Sequence, residues 1–149
     1  MARYSCLFQR TASTTLAVGS TTADATRPRR GKWYYADFGS ENAAADNPFL
    51  WQVQRCTTAG TSTPVVPQQI DPGDLATEFD SGHIHTVNPT FTAAAFVLTI
   101  PLNQRSTFRW EAGIYGELTW PAVASNVFGV LTTVSAAVLI TMNVHVDEQ

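Results

Sequence analysis

The pair His83 and His85 in "GHIH" offers two imidazoles at a spacing by which one face of an extended chain can present ligands to a divalent ion. A closed site needs more ligands, and the segment that follows, "TVNPTFTAAAF", holds no acid. His145 or Asp80 could be recruited only by accident of folding, so the pair reads as part of an ordinary polar loop and no metal is expected. Carboxylates also gather in "DPGDLATEFD", where paired acids can divide general-acid and general-base work. A plainer role fits them: Asp71 suits a helix N-cap, Pro72 the first helical position, and Asp74 the positive end of a short helix over "DPGDLATEF". The chain has no Gly-x-Ser-x-Gly elbow, no phosphate loop and no Cys-x-x-Cys, and no histidine stands near Cys6 in sequence. Nothing therefore assembles an activated nucleophile, and the expectation is a protein that is not an enzyme and uses no cofactor.

The remaining candidates are binding residues. "RPRRGK" packs Arg27, Arg29, Arg30 and Lys32 into six residues, the composition of an arm that touches an acidic neighbour. No aromatic residue interleaves the charges, which argues against single-stranded nucleic acid. The favoured reading is a solvated linker leading into "KWYYADF". Of the four tryptophans, Trp51 and Trp110 share strand faces with Phe49 and Phe108 and read as core. Trp33 and Trp120 stand nearer strand ends and are expected to be accessible, as interface residues or as a platform on which a glycan stacks.

These residues must be positioned by strands. Tyr4, Cys6 and Phe8 alternate with polar neighbours, as do Phe49, Trp51 and Val53. "AFVLTIPL" brings Phe96, Leu98, Ile100 and Leu102 to one face, and "VLITMNVHV" sets Val138, Ile140, Met142, Val144 and Val146 against Thr141, Asn143 and His145. Period-two patterning of this kind marks half-buried strands. "GSENAAADNP", "TAGTSTPVVP" and "SGHIHTVNP" read as loops. Some eight short strands, without a long helix, predict an all-β chain: a jelly-roll-type antiparallel β-sandwich with at most one short helix. Residues 1–149 are expected to form one domain, with residues 1–31 a partly extended N-terminal strand or arm.

In "PLNQRSTFRWEAGIYGELTWPA" (residues 101–122), strand alternation sends Phe108 and Trp110 to the core and Thr107, Arg109 and Glu111 outward. Arg109 is expected to pair within the chain with Glu111 or Glu117. Arg105, beside the "LNQ" turn, is expected to contact another subunit, since the planar guanidinium fork suits protein interfaces.

Only 14% of the residues are charged and the net charge is −3, with a pI near 5.5. That field repels nucleic acid and anionic membranes alike, and no apolar run reaches the 18 or more residues of a spanning helix. "MARYSCLFQR" lacks the apolar stretch of a signal peptide, which predicts synthesis in a cytoplasm. In such a reducing compartment Cys6 and Cys56 are expected to stay unpaired, as half-buried strand residues.

The order of "WQVQRCTTAGT", "DPGD", "NPTFT", "LNQR", "FRW" and "GEL" with "PA" resembles the small jelly-roll decoration, or cement, proteins that coat the heads of tailed bacteriophages. The likeness covers roughly residues 30 to 130, departs from that pattern at "AGIYGEL", and leaves the first 30 residues unmatched. It implies a non-enzymatic virion protein, made in the host cytoplasm, that binds the major capsid protein on the capsid exterior as a homotrimer and reinforces the shell. The interface residues expected on this reading are Arg105, Arg27, Arg29, Arg30, Trp33 and Trp120. The alternative is a jelly-roll carbohydrate-binding module or virion adhesion protein with a glycan partner.

Overall fold

The computed structural model describes residues 2–12, 15–124 and 126–149. In chain order the strands are β1 (Ala2–Thr11), β2 (Gly19–Ala23), β3 (Gly31–Glu41), β4 (Pro48–Cys56), β5 (Thr61–Val65), β6 (Gln68–Gln69), β7 (Phe79–Val87), β8 (Phe91–Asn103), β9 (Phe108–Glu111), β10 (Leu118–Trp120), β11 (Val127–Val134) and β12 (Leu139–Glu148). No helix occurs among the described residues.

Two antiparallel sheets form. The first runs β10-β3-β12-β1-β6, with β9 also on β3; the second runs β5-β7-β2-β11-β4-β8. Pairing is nested: β1 with β12, β2 with β11, β3 with β9 and β10, β4 with β8. A long antiparallel ribbon folded over on itself gives this order, which is the jelly-roll topology. The segment between β4 and β8 is an insertion whose strands extend both sheets: β7 adds to β2, β5 to β7, and β6 to β1.

The predicted alternation explains the core. Tyr4, Cys6 and Phe8 of β1 and Ile140, Met142, Val144 and Val146 of β12 are all buried, and they meet Trp51, Val53, Phe128 and Val130 in one cluster between the sheets. Each such side chain, fully withdrawn from water, stabilises the fold by about 1.5–3 kcal/mol. The first residues are no free arm, because β1 pairs with β12 over Ala2↔Glu148 to Thr11↔Leu139 in the interior of its sheet.

Several expectations are corrected. "TAGTSTPVVP" contains β5 and "SGHIHTVNP" contains most of β7. Their Gly, Pro and Ser residues mimic turn signals, but β5 is the outermost strand, where Pro64 lacks an N–H that no neighbour needs. The short helix over "DPGDLATEF" is absent. Asp71 Oδ1 instead accepts the Gly73 N–H at 2.9 Å, and Asp74 accepts the Arg3 N–H at 3.0 Å. Side-chain capture of backbone groups competes with helix formation, and a single isolated turn is costly to nucleate. Cys6 and Cys56 are unpaired as expected, but buried rather than half-buried, and burial pushes both thiols up to about 12.

Candidate functional site

The outer face of the first sheet carries a continuous group of interacting polar and aromatic side chains, and a backbone irregularity builds it. The β3–β12 ladder shifts register between His145 and Val146: Tyr35 opposes His145 and Trp33 opposes Val146, leaving Tyr34 unpaired between them. In a regular strand Tyr34 and Tyr35 would face opposite ways. The bulge turns both outward beside one histidine, while Trp33 and Ala36 on either side stay buried.

The Tyr35 ring stacks on His145 with centroids 4.6 Å apart, and Tyr34 lies 5.8 Å from the same imidazole. Two cations cover the tyrosines, Arg3 at 5.5 Å from the Tyr34 ring and Arg109 at 5.5 Å from Tyr35. The Tyr35 hydroxyl donates to Asp37, and Arg109 Nε lies 3.5 Å from Asp37 Oδ1. Asn143 Nδ2 sits 3.4 Å from His145 Nε2, and Ser5 Oγ donates to Asn143 Oδ1 at 2.8 Å. Four strands, β1, β12, β3 and β9, thus contribute to one continuous network.

Charge states follow from these neighbours. Burial holds His145 below the ordinary imidazole range, with the Asp37 charge opposing. The hydrogen bond to Asp37, then burial, raises the Tyr35 phenol, and burial raises Tyr34. At neutral pH the face presents neutral imidazole and phenols between two guanidinium groups. Its serine donates to the Asn143 amide oxygen, and the residue types gathered here, Tyr and Arg, are those enriched where protein interfaces concentrate their energy.

The expected site residues fall in different places. Arg109 is an intrachain cross-strand partner as expected, but its main partner is Asp37, with Glu111 at 3.9 Å; Glu117 pairs with Lys32 at 3.3 Å. Arg105 lies exposed in the turn after β8, its Nε 3.4 Å from the Ala44 carbonyl. Arg27, Arg29 and Arg30 lie in the exposed connection between β2 and β3, where Arg27 pairs with Glu78 at 3.2 Å.

Trp33 and Trp120, expected to be accessible, are buried at 0% and 1% exposure. Both are inward positions of strands in the first sheet, packed on Phe128 of the second, so neither can meet a partner or a glycan. Phe108, expected in the core, is 39% exposed and Trp110 only half-buried against the core. Their inward direction is correct, but β9 is a rim strand that the opposing sheet only partly covers. His83 and His85 lie on β7, and His85 is buried with Nδ1 3.3 Å from the Val87 carbonyl. Among the described residues no group of three or more metal-ligating side chains surrounds a common point.

Sequence reasoning missed Tyr34, Tyr35 and His145 as a unit. The signal was "WYYAD", where strict alternation cannot bury both Trp33 and Ala36 without one extra residue between them.

No family model matches the chain, and no curated protein matches it. A chain in the structure of infectious bursal disease virus Gt strain aligns at 11% identity over 98% of this chain and 39% of that one, with a TM-score of 0.19. The chain therefore spans about two fifths of that chain's length, and a superposition this weak carries no argument. What the strand order itself defines is the class: an all-β antiparallel sandwich of jelly-roll topology.

Proposed function

We propose that this protein is a non-enzymatic virion structural protein that binds the exterior of a bacteriophage capsid as a decoration, or cement, protein. The observation that carries the reading is the bulge-built face of Tyr34, Tyr35 and His145 between Arg3 and Arg109. Its side chains are ordered by mutual contacts before any partner arrives, which lowers the entropy lost on binding. The partner is the major capsid protein, and a contact made only in the assembled shell stabilises that shell by mass action. Repetition over a symmetric lattice lets modest contacts sum.

The glycan alternative loses its intended residues, since Trp33 and Trp120 are buried. The tyrosine pair replaces them poorly, because His145 from β12 stacks on the Tyr35 ring and Arg109 from β9 approaches it, so both compete with a sugar for that ring.

The test is co-sedimentation with purified capsid shells. Tyr35→Ala and Arg109→Ala are each expected to weaken coating by about 30-fold, the effect of losing a residue worth roughly 2 kcal/mol, with the fold unchanged by circular dichroism. Coating at wild-type affinity by both variants would exclude this face as the capsid contact. Loss of specific glycan-array binding in the same variants would favour the adhesion reading instead.

A further inference from the structure

We propose that the protein associates head to tail with copies of itself, the loop tip Ile114–Tyr115 of one copy seating in the apolar groove between the ends of β4, β8 and β11 of the next. The proposal deepens the homotrimer of the decoration reading and rests on it only for the number of copies, since the contact needs no capsid.

The tip is built to be presented. β9 and β10 pair with the same edge of β3, and residues 112–117 loop out between them opposite the Tyr34 bulge. Ala112 N–H to the Tyr34 carbonyl at 3.0 Å pins its base, and Gly116 N–H to the Gly113 carbonyl at 2.9 Å closes the turn. At its apex Ile114 is 91% exposed and Tyr115 96% exposed. Tyr115 has φ +62°, at the turn position that normally takes glycine or asparagine. An aromatic residue held in that strained conformation, wholly in water and beside an equally bare isoleucine, has no folding role in the single chain.

The groove has the complementary character. It is about 380 Å³ in volume, within the range of pockets that enclose compact apolar groups. Pro48, Phe49, Leu50, Pro101, Leu102 and Val134 line it, and no charged side chain does. A chain cannot fill its own groove. The tip is fixed at the level of Tyr34, while the groove lies beyond the Glu41 end of β3, about 20 Å away at roughly 3.3 Å per residue.

Charge at the rim selects the same occupant. Arg105 stands in the turn that follows the groove-lining end of β8, two residues past Asn103, the cross-strand partner of Pro48, and makes no ion pair among the described residues. Glu111, at the base of the tip, is exposed and only loosely held by Arg109 at 3.9 Å. Seating the tip brings an unpaired cation and an available carboxylate toward each other. Such a contact joins two different patches, so it closes into a ring or propagates.

The experiment is sedimentation-velocity analysis of the protein alone across a wide concentration range. Wild type is expected to form defined multiples of the 16.2 kDa chain. Ile114→Ser with Tyr115→Ser removes the tip, and Thr133→Arg blocks the groove from an exposed position; each is expected to give monomer with an unchanged circular dichroism spectrum. Mixed in equal amounts, these two variants have one intact tip and one intact groove between them, and are expected to form dimers and nothing larger. Arg105→Glu should weaken association at least tenfold, and adding Glu111→Arg should restore it. A wild type that stays monomeric, variants that assemble like wild type, or a mixture that does not dimerise would each overturn the proposal. Shell coating is scored separately: oligomers that form as described but do not coat shells would refute the decoration reading and leave this contact standing.

Discussion

Replacing Trp33 with alanine separates a core role from a surface role more sharply than any other change. The indole is fully buried, its ring 5.4 Å from Phe128 of the opposite sheet, and Nε1 donates to Thr21 Oγ1 at 3.1 Å. Removing a buried aromatic side chain costs about 3–5 kcal/mol, and leaving the buried Thr21 hydroxyl without its donor adds roughly 1 kcal/mol. A loss of about 4–6 kcal/mol is a large share of the total expected for a chain of this length, about 7–22 kcal/mol. The melting temperature should fall by about 10–20 °C. Urea unfolding followed by circular dichroism, with an unchanged slope, reads the cost directly. Trp33→Phe keeps part of the ring packing but loses the donor and the volume of the fused five-membered ring, so it should cost less than the alanine variant, about 1–3 kcal/mol. A Trp33→Ala variant that loses less than about 1 kcal/mol would refute the inward placement of β3.

Further outcomes follow from local geometry. A methyl group at Gly31 would lie 2.0 Å from the Trp120 ring, so Gly31→Ala should destabilise by about 1–3 kcal/mol in the same assay. Burial holds His85 and His145 below the ordinary imidazole range; the unfolded chain then takes up protons first, and stability present above about pH 6.5 is lost as pH falls. His85→Gln should flatten that decline in melts between pH 7.5 and 5.5. Burial raises Asp147 and Glu148, which has the opposite sign: their contribution is present at low pH and lost on raising it. Asp147→Asn should therefore stabilise the protein more at pH 7 than at pH 4. With both thiols buried and raised to about 12, Cys6 and Cys56 should resist a disulfide reagent in the native protein and react at once in denaturant; rapid native labelling of either would contradict its burial.

The alternation in β1, β4 and β12 was readable from sequence because each strand has one buried face, and a period of two then places every apolar residue on it. Tyr4, Cys6, Phe8, Ile140, Met142 and Val144 all fall where the pattern puts them. Arg109 was legible as an outward residue for the same reason. The candidate face was not, because it depends on a register shift between strands more than a hundred residues apart, and no local window contains both partners. Tertiary pairing also decided β5 and β7, whose turn-like residues become strand when a sheet edge accepts them. The helix expected near Asp71 yields to a hydrogen bond from Arg3, 71 residues away from Asp74. Trp33 and Trp120 are buried because the second sheet lies over them. Local composition sets which residues can be strand and which face is apolar; which neighbours cover that face, and where the ladder slips, depends on contacts that exist only once the two sheets have closed.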